Sequence, residues 1–501
     1  MRKSASREIR ILDIQKQIER FKKGYPFRVL LRPATVGDGI RKLEEHESRA
    51  LQGQYEDSLP EINVCKFVPA SGAASRMFRD FSTLRETFSS DEPALSPEEK
   101  KTLEKFLSNA AGFPFTELLE QKLGERVEKI ASSGNFGLIF DTLLGTDGLG
   151  YGNIPKGLVP FHSYGGELRT AFCEHFREAL GYISSRGTLS MNFTIPPVFT
   201  EEFAKEEKKA VSFFSSEGIS FDVTYSVQNP ETDTIAVTMD NAPVKDADGF
   251  LLRRPAGHGA LLKNLDELCY DCIFIKNIDN VAKDALLPDT VKWKKILGGL
   301  LLSIQRKVFR YAEALSSQWV SESLEREIIS FCREEVFMDL PREFSGLSGA
   351  DRRNYLLNAL ERPVRVCGVV KNMGEPGGGP FWVERGEEKS LQIVESAEVD
   401  HNSSSQRHIW ESSTHFNPVD IICGVKNFNG NKFNLSDFVD SEAGIITEKT
   451  LGAMKIKALE LPGLWNGSMS GWITVFVEVP STTFNPVKTV WDLLKEPHQV
   501  N

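Results

Sequence analysis

The sequence predicts an α/β protein built on a mixed, mainly parallel sheet with helical insertions. Strand-like and helix-like segments alternate through residues 158–278. The run Cys272 to Ile278 has the near-continuous apolar character of a strand covered on both faces. Two long stretches, about 80–150 and 291–360, carry helical spacing without interleaved strands. At 501 residues the chain exceeds the size at which one hydrophobic core keeps growing, so a large domain with insertions is expected. The expected organisation is an N-terminal helical arm over 1–60 and a core over 61–290 carrying the first insertion. A second insertion over 291–360 and the remainder of the core sheet over 361–501 complete it.

Each element has its own signal. In residues 7–23, Ile11, Ile14, Ile18 and Phe21 recur at helical spacing and Leu12 widens that face, which predicts an amphipathic helix. Val64-Cys65-Lys66-Phe67-Val68 is β-rich and runs into Pro69-Ala70-Ser71-Gly72, so a strand, a loop and a helix from about Ser75 are expected. Ser96 stands three positions before Glu99 as a capping box, and Glu98-Glu99-Lys100-Lys101 reads as a solvated helix face. After Leu158 to Phe161 come a helix from about Glu167 to Tyr182, a strand Ser190 to Ile195, a helix Thr200 to Ser216 and a strand Phe221 to Val227. Asp233 to Met239 is a further strand, a helix begins near His258, and the Cys272 strand ends in Asn277-Ile278-Asp279-Asn280. Past the second helical stretch, with Leu300 to Leu302 as core, strands are expected at Val364 to Val370, Ile393 to Val394, Ile421 to Val425 and Trp472 to Val479, then a short helix at 489–495. Gly374 to Pro380 is a loop, either a plain connector or backbone beside a ligand.

Composition excludes several classes. Seventy acidic against 60 basic residues give a net charge of -10, which opposes the positive field that a nucleic-acid partner needs. No apolar run approaches the roughly 20 residues that span a bilayer, and the opening alternates charged and apolar residues instead of forming a signal segment. A cytoplasmic protein without a membrane partner is therefore expected. Seven scattered cysteines do not make a disulfide framework, and Cys269 with Cys272 lacks a second pair for zinc, so buried thiols are expected.

Five segments can carry chemistry. In Ala70-Ser71-Gly72-Ala73-Ala74-Ser75-Arg76, small residues let backbone N–H groups approach phosphates, the following helix points its positive end at them, and Arg76 adds a charged fork. Pro155-Lys156-Gly157-Leu158 offers a lysine as a point charge, unless that lysine is merely solvated. Pro255-Ala256-Gly257-His258-Gly259 either lets backbone approach a ligand or opens a helix. In Asn277-Ile278-Asp279-Asn280 the carboxylate at a strand end can hold Mg²⁺ or simply end the strand. Phe484-Asn485-Pro486-Val487-Lys488-Thr489 presents Lys488 on a proline-stiffened loop.

Taken together and in this order, the five segments resemble the UDP-sugar pyrophosphorylases, whose corresponding motifs are Gly-Gly-x-Gly-Thr-Arg-Leu, Pro-Lys-[Gly/Ser]-Leu, Pro-x-Gly-His-Gly, Asn-x-Asp-Asn and Phe-x-Pro-Val-Lys-Thr. The resemblance runs in islands over about residues 64–490. Two departures mark it: Ser71 and Ala74 replace glycines of the first loop, and Lys156 follows Arg76 by 80 residues instead of closely. The opening helix with Ala34 to Ile40, and Thr414-His415-Phe416-Asn417-Pro418-Val419-Asp420, also resemble a family of uncharacterised bacterial proteins.

The resemblance implies a Rossmann-like nucleotide-diphospho-sugar transferase sheet of the GT-A type. It implies a nucleotidyltransferase that joins a nucleoside triphosphate, UTP favoured, to a sugar 1-phosphate with release of pyrophosphate. Arg76, Lys156 and Lys488 would serve catalysis by neutralising phosphates, and Asp279 would bind Mg²⁺, the implied cofactor. Ala70, Ser71, Gly72, Ala73, Gln228, Gly257, His258, Gly259 and Asn277 would bind nucleotide and sugar. Gln228 and Asn229 also read as a strand-end cap, Asp420 as a second metal ligand or part of a turn, and Gly463-Leu464-Trp465-Asn466-Gly467 as a sugar contact or core. The alternative is a sugar-nucleotide binding or regulatory protein that keeps the fold without turnover. A glycosyltransferase fits less well, since Asn277-Ile278-Asp279 supplies one acid where an Asp-x-Asp pair is usual.

Overall fold

In a computed structural model of the chain, residues 2–90, 92–215, 218–317, 320–374, 377–385, 388–452 and 454–499 are described. They form two compact units, each assembled from separated stretches. The first comprises Met1–Asn63, Gln228–Ile275 and Lys295–Ser481, and the second Val64–Val227, Lys276–Lys294 and Thr482–Asn501. The architecture is mixed α/β, with most pairings in the main sheet parallel.

In the second unit the strand Val64–Pro69 pairs in parallel with Thr188–Thr194, which pairs in parallel with Ser220–Ser226. Crossover helices Ala171–Ala179 and Thr200–Phe214 separate them in sequence, as parallel pairing demands. Ser216, expected to end the second helix, lies outside the described residues. The helix expected from Glu167 starts later. Gly165 and Gly166 take φ of 61° and 98°, which closes a tight turn. Glu167–Thr170 therefore returns as a strand against Pro160–Tyr164. The helix begins at Ala171, where the Thr170 hydroxyl accepts from the Cys173 N–H.

The first helical stretch folds as Arg79–Phe88, Pro97–Asn109, Thr116–Leu123, Val127–Ser132 and Phe136–Leu144. Its capping box at Ser96 and Glu99 forms. The phenylalanines explain its packing: Phe81 lies 5.1 Å from Phe106 and 5.6 Å from Phe140, centroid to centroid, all buried. Trp491 joins them, 5.4 Å from Phe81, with its indole N–H donating to Asp80. Each such ring pair adds about 0.5–1.5 kcal/mol beyond burial, so the chain near residue 490 is anchored on this helical layer.

In the first unit Val364–Lys371 pairs in parallel with Ile473–Glu478 and antiparallel with His415–Gly424. The strand Cys272–Lys276 lies beside His415–Gly424. The helix Leu287–Ser316 is the main helix of the second helical stretch. The N-terminal helix Arg2–Lys23 sets Phe21 into a cluster with Ile235, Val237 and Leu459; the side chains of Ile11 and Leu12 lie outside the described residues. Two small antiparallel sheets were not foreseen as such, one joining Val29–Pro33, Gly379–Arg385 and Glu388–Val394, the other including Ile445–Leu451 and Met454–Glu460. Their strands interleave charges with apolar residues, as half-exposed strands do.

Gly377 and Gly379 of the expected glycine loop pack on the chain itself, since an added Cβ would meet Phe416 and the His415 carbonyl. Glu375 and Pro376 lie outside the described residues. All seven cysteines are free thiols, and Cys269 is exposed where burial was expected. Among the described residues no helix is long and apolar enough to cross a membrane.

Candidate active site

The second unit brings four of the five segments together. After the strand Val64–Pro69, the loop carries Ala70, whose N–H donates to the Thr194 carbonyl, then Ser71, Gly72 and Ala73. Lys156 N–H donates to the Gly72 carbonyl at 2.9 Å and Ala74 N–H to the Ile154 carbonyl at 2.9 Å. The 80 residues between the two motifs thus loop out and return, and the departure in spacing does not separate Lys156 from the first loop. The N–H groups of Ser71, Gly72 and Ala73 make no hydrogen bond with described residues, and nothing lies within 4 Å of a Cβ built on Gly72. Successive open N–H groups of this kind make an anion-binding concavity. The expected helix from Ser75 is only a turn, Ala74–Arg76, and the α-helix starts at Arg79. The positive character therefore comes from loop N–H groups and the exposed Arg76, not from a long helix end.

At the centre stands Asp279, 6% exposed. Lys156 Nζ donates to its Oδ2 at 3.0 Å and to the Val487 carbonyl at 3.0 Å. Lys488 Nζ donates to Oδ2 at 3.0 Å and Oδ1 at 3.2 Å. Burial pushes the Asp279 carboxyl up, but the two ammonium groups outweigh it and hold it below its ordinary value. Lys156 is nearly enclosed, with 12% of its side chain exposed, whereas 56% of Lys488 is open. The Lys488 segment is strapped down: Val487 N–H donates to the Asp279 carbonyl, Asn485 N–H to Asn280 Oδ1, and Lys488 and Thr489 N–H to Asp492 Oδ2. Two cations thus face one carboxylate beside a loop of open donors, a set suited to a polyphosphate.

Behind Asp279 lies a buried charge cluster that sequence reasoning missed. Glu178 accepts from Lys66 at 3.0 Å, from Tyr182 at 2.9 Å and from Lys276. Burial pushes the Glu178 carboxyl up, and Lys276 and Lys66 override it, holding it well below the usual range. Burial lowers Lys66 to about 8 and pushes Lys294 well down. His175 lies 3.2 Å from the Ile278 carbonyl and, kept neutral by burial, donates to it, fixing the backbone next to Asp279. The signal in sequence was a lysine inside each of two apolar strands, Lys66 and Lys276.

Gln228, Gly257, His258 and Gly259 belong to the first unit. Gly257 has φ of 74° and Gly259 packs so tightly that a Cβ would sit 2.1 Å from the Pro462 carbonyl oxygen. These glycines therefore answer to the chain's own backbone. His258 stacks on Trp465 at 4.0 Å and 12°, accepts from the Leu464 N–H, and lies 3.3 Å from Glu395. Burial raises the Glu395 carboxyl, and hydrogen bonds from His258 and Trp465 bring it below its ordinary value. Glu395 had no signal of its own in the sequence. Gln228 keeps its Nε2 buried without a partner, while Asn229 caps a turn by accepting from the Glu231 N–H. Asn277 and Asp279 sit in the second unit; Asp420 is in the first, paired across from Gly368.

A family model described as "Domain of unknown function (DUF4301)" matches residues 1–499. No curated protein matches the chain. Among solved structures it is similar to the uridine diphosphate N-acetylglucosamine pyrophosphorylase of Trypanosoma brucei at 10% identity and TM-score 0.48, covering 96% of this chain and 74% of that one. It is similar to a UDP-glucose phosphorylase of Trypanosoma brucei at 15% identity and TM-score 0.45, covering 99% and 78%. UDP-glucose pyrophosphorylase of Leishmania major is similar at 12% identity and TM-score 0.40, covering 95% and 73%.

Proposed function

The chain belongs to the DUF4301 family, and we propose that it is a sugar-1-phosphate nucleotidyltransferase, joining a nucleoside triphosphate, UTP favoured, to a sugar 1-phosphate and releasing pyrophosphate. The observation that carries this reading is Lys156 and Lys488 converging on Asp279 next to the open N–H groups of Ser71, Gly72 and Ala73. The order of motifs along the chain supports it.

In this reading the loop donors and Arg76 cradle the triphosphate. A sugar phosphate oxygen attacks the α-phosphorus, the bond to the β-phosphate oxygen breaks, and pyrophosphate leaves with the electron pair. Catalysis rests on holding the reactants in line and on cations aimed at developing charge. Lys156 and Lys488 hold their ammonium groups against Asp279 in the free protein and turn N–H donors to phosphate oxygens when these arrive.

Asp279 suits Mg²⁺ as a single carboxylate. Among the described residues no group of three His, Cys, Asp or Glu forms a metal site, so the ion would complete its shell with phosphate oxygens and water. Bound there, it would neutralise phosphate charge. A cytoplasmic setting fits these substrates.

The test is pyrophosphate release by purified protein with Mg²⁺, a panel of nucleoside triphosphates and a panel of sugar 1-phosphates. Release that needs both substrates and is lost in Asp279→Ala supports the reading. Silence across the panel with nucleotide-sugar binding intact replaces it with a non-catalytic binding protein.

A further inference from the structure

The buried charge cluster behind Asp279 has a layout that the phosphate chemistry above leaves unexplained. Lys66, His175, Glu178 and Lys276 are each at most 1% exposed. Glu178 and His175 stand three residues apart on one face of the helix Ala171–Ala179. Lys66 Nζ donates to Glu178 Oε1 and to the His175 carbonyl, both at 3.0 Å. Lys276 Nζ donates to the other carboxylate oxygen, Oε2. His175 Nε2 meets the Ile278 carbonyl at 3.2 Å, and the Tyr182 hydroxyl donates to Glu178 Oε1 at 2.9 Å. The two lysines hold matching places in the chain. Lys66 lies four residues before Ala70, the first residue of the loop with the open N–H groups, and Lys276 lies three residues before Asp279.

We propose that Glu178 is a positioning residue that holds the loop at residues 71–73 and Asp279 at a fixed separation, gripping the first segment through Lys66 and the second through Lys276. The inference rests on the reading of that loop and Asp279 as a phosphate-binding site. Being enclosed, the cluster acts through the backbone and touches no substrate.

Stability alone does not call for charge here. Apolar side chains of similar volume in place of a buried ion pair are often neutral or stabilising. Charged hydrogen bonds add direction to distance. A carboxylate with each oxygen engaged by a lysine from a different segment therefore fixes the two segments against each other, where apolar contacts would let them slide. His175 makes the same connection by a second route, accepting from Lys66 at its carbonyl and facing Ile278 with its ring. Burial keeps that ring neutral, and a carbonyl only accepts, so Nε2 carries the proton. The two segments are thus joined twice, once through the Glu178 side chain and once through His175. Tyr182 closes the set, with Lys66 5.7 Å from its ring centroid and its hydroxyl on the shared oxygen.

The experiment compares Lys66→Met and Lys276→Met in the whole protein. Each keeps an unbranched side chain of similar length, and neither leaves Glu178 without a cation. Calorimetric titration with a nucleoside triphosphate, and pyrophosphate release with KM and kcat separated, read the site. A misplacement of about 1 Å costs up to about 100-fold. Lys66→Met frees the loop and is expected to weaken nucleotide binding and raise KM by about 10–100-fold. Lys276→Met frees Asp279 and is expected to lower kcat by a similar factor with nucleotide binding kept. Unchanged KM and kcat in both variants would overturn the proposal. So would equal losses in both that follow a lowered melting temperature, the mark of general support of the fold.

Hydrogen exchange of the whole protein, followed by mass spectrometry, reads the tether without any activity. The Ala70 and Ala74 N–H groups are held by the Thr194 and Ile154 carbonyls, and the Val487 N–H by the Asp279 carbonyl. Lys66→Met should speed exchange in the segment with Ala70 and Ala74 and leave Val487 unchanged, and Lys276→Met should do the reverse. Exchange that rises across the whole second unit, or nowhere, overturns the proposal. A wild-type protein that releases no pyrophosphate removes the functional reading and leaves the exchange pattern to decide the tether.

Discussion

Replacing Lys488 and Lys156 separately by alanine separates catalysis from stability at one carboxylate. Both lysines pair with Asp279, but 56% of the Lys488 side chain is exposed and only 12% of Lys156. An exposed pair contributes about 0–1 kcal/mol, and Asp279 keeps Lys156 as a partner, so Lys488→Ala should barely change the melting temperature. Lys156→Ala removes an enclosed ammonium that serves both Asp279 and the Val487 carbonyl. A charged hydrogen bond of this kind is worth about 1.5–3 kcal/mol, so losing two, with Asp279 keeping only the solvent-open Lys488 as its cation, should cost about 3 kcal/mol. For a folding unit of 150–250 residues that corresponds to roughly 6–12 °C. Both variants should lose turnover by about 10²–10³-fold, as loss of one transition-state donor does. Calorimetry and pyrophosphate release on the same preparations make the comparison. A Lys488→Ala protein that turns over normally, or one that melts as early as Lys156→Ala, would refute the assignment of an exposed phosphate-binding lysine.

Glu178→Gln should destabilise the protein by about 3–5 kcal/mol, because Lys66 and Lys276 are left buried without a countercharge. The Glu178 carboxyl is depressed in the folded state, so its contribution is present above the ordinary value of 4.5 and lost as pH falls through its lower folded value; melting curves against pH should show the variant losing that acid-side dependence. Gly259→Ala places a Cβ 2.1 Å from the Pro462 carbonyl oxygen and should cost at least about 1–3 kcal/mol. Gly72→Ala has open space beside it and should leave the melting temperature unchanged while weakening nucleoside triphosphate binding in titration calorimetry, since the new methyl group stands beside the open N–H donors.

The legible parts were those with a local cause. The strand Val64–Pro69, the capping box at Ser96 and the strand before Asn277 each carry their signal within a few residues, and each formed. The helix expected from Glu167 failed because a helical pattern continues backward past Gly165 and Gly166, whose positive φ values close a hairpin instead. The strands Ile445–Leu451 and Met454–Glu460 stayed hidden because their burial depends on a partner, Thr234–Thr238, more than 200 residues away. The motif residues Gly72, Lys156, Asp279 and Lys488 were all visible, but nothing in their spacing said that Lys156 and Lys488 would share one carboxylate.

What the sequence alone determined was the α/β class, most strand positions of the main sheet, and the residue types able to meet phosphate, because periodicity, turn chemistry and side-chain charge are local properties. Tertiary structure decided which charges meet. It placed Lys156 against Asp279 across 123 positions of chain and Lys488 across 209, enclosed Glu178 among lysines, and joined His162 to His498 across 336. Ion pairs and buried hydrogen bonds act over a few ångströms in space, and that proximity is set by packing between elements that the chain brings together from far apart.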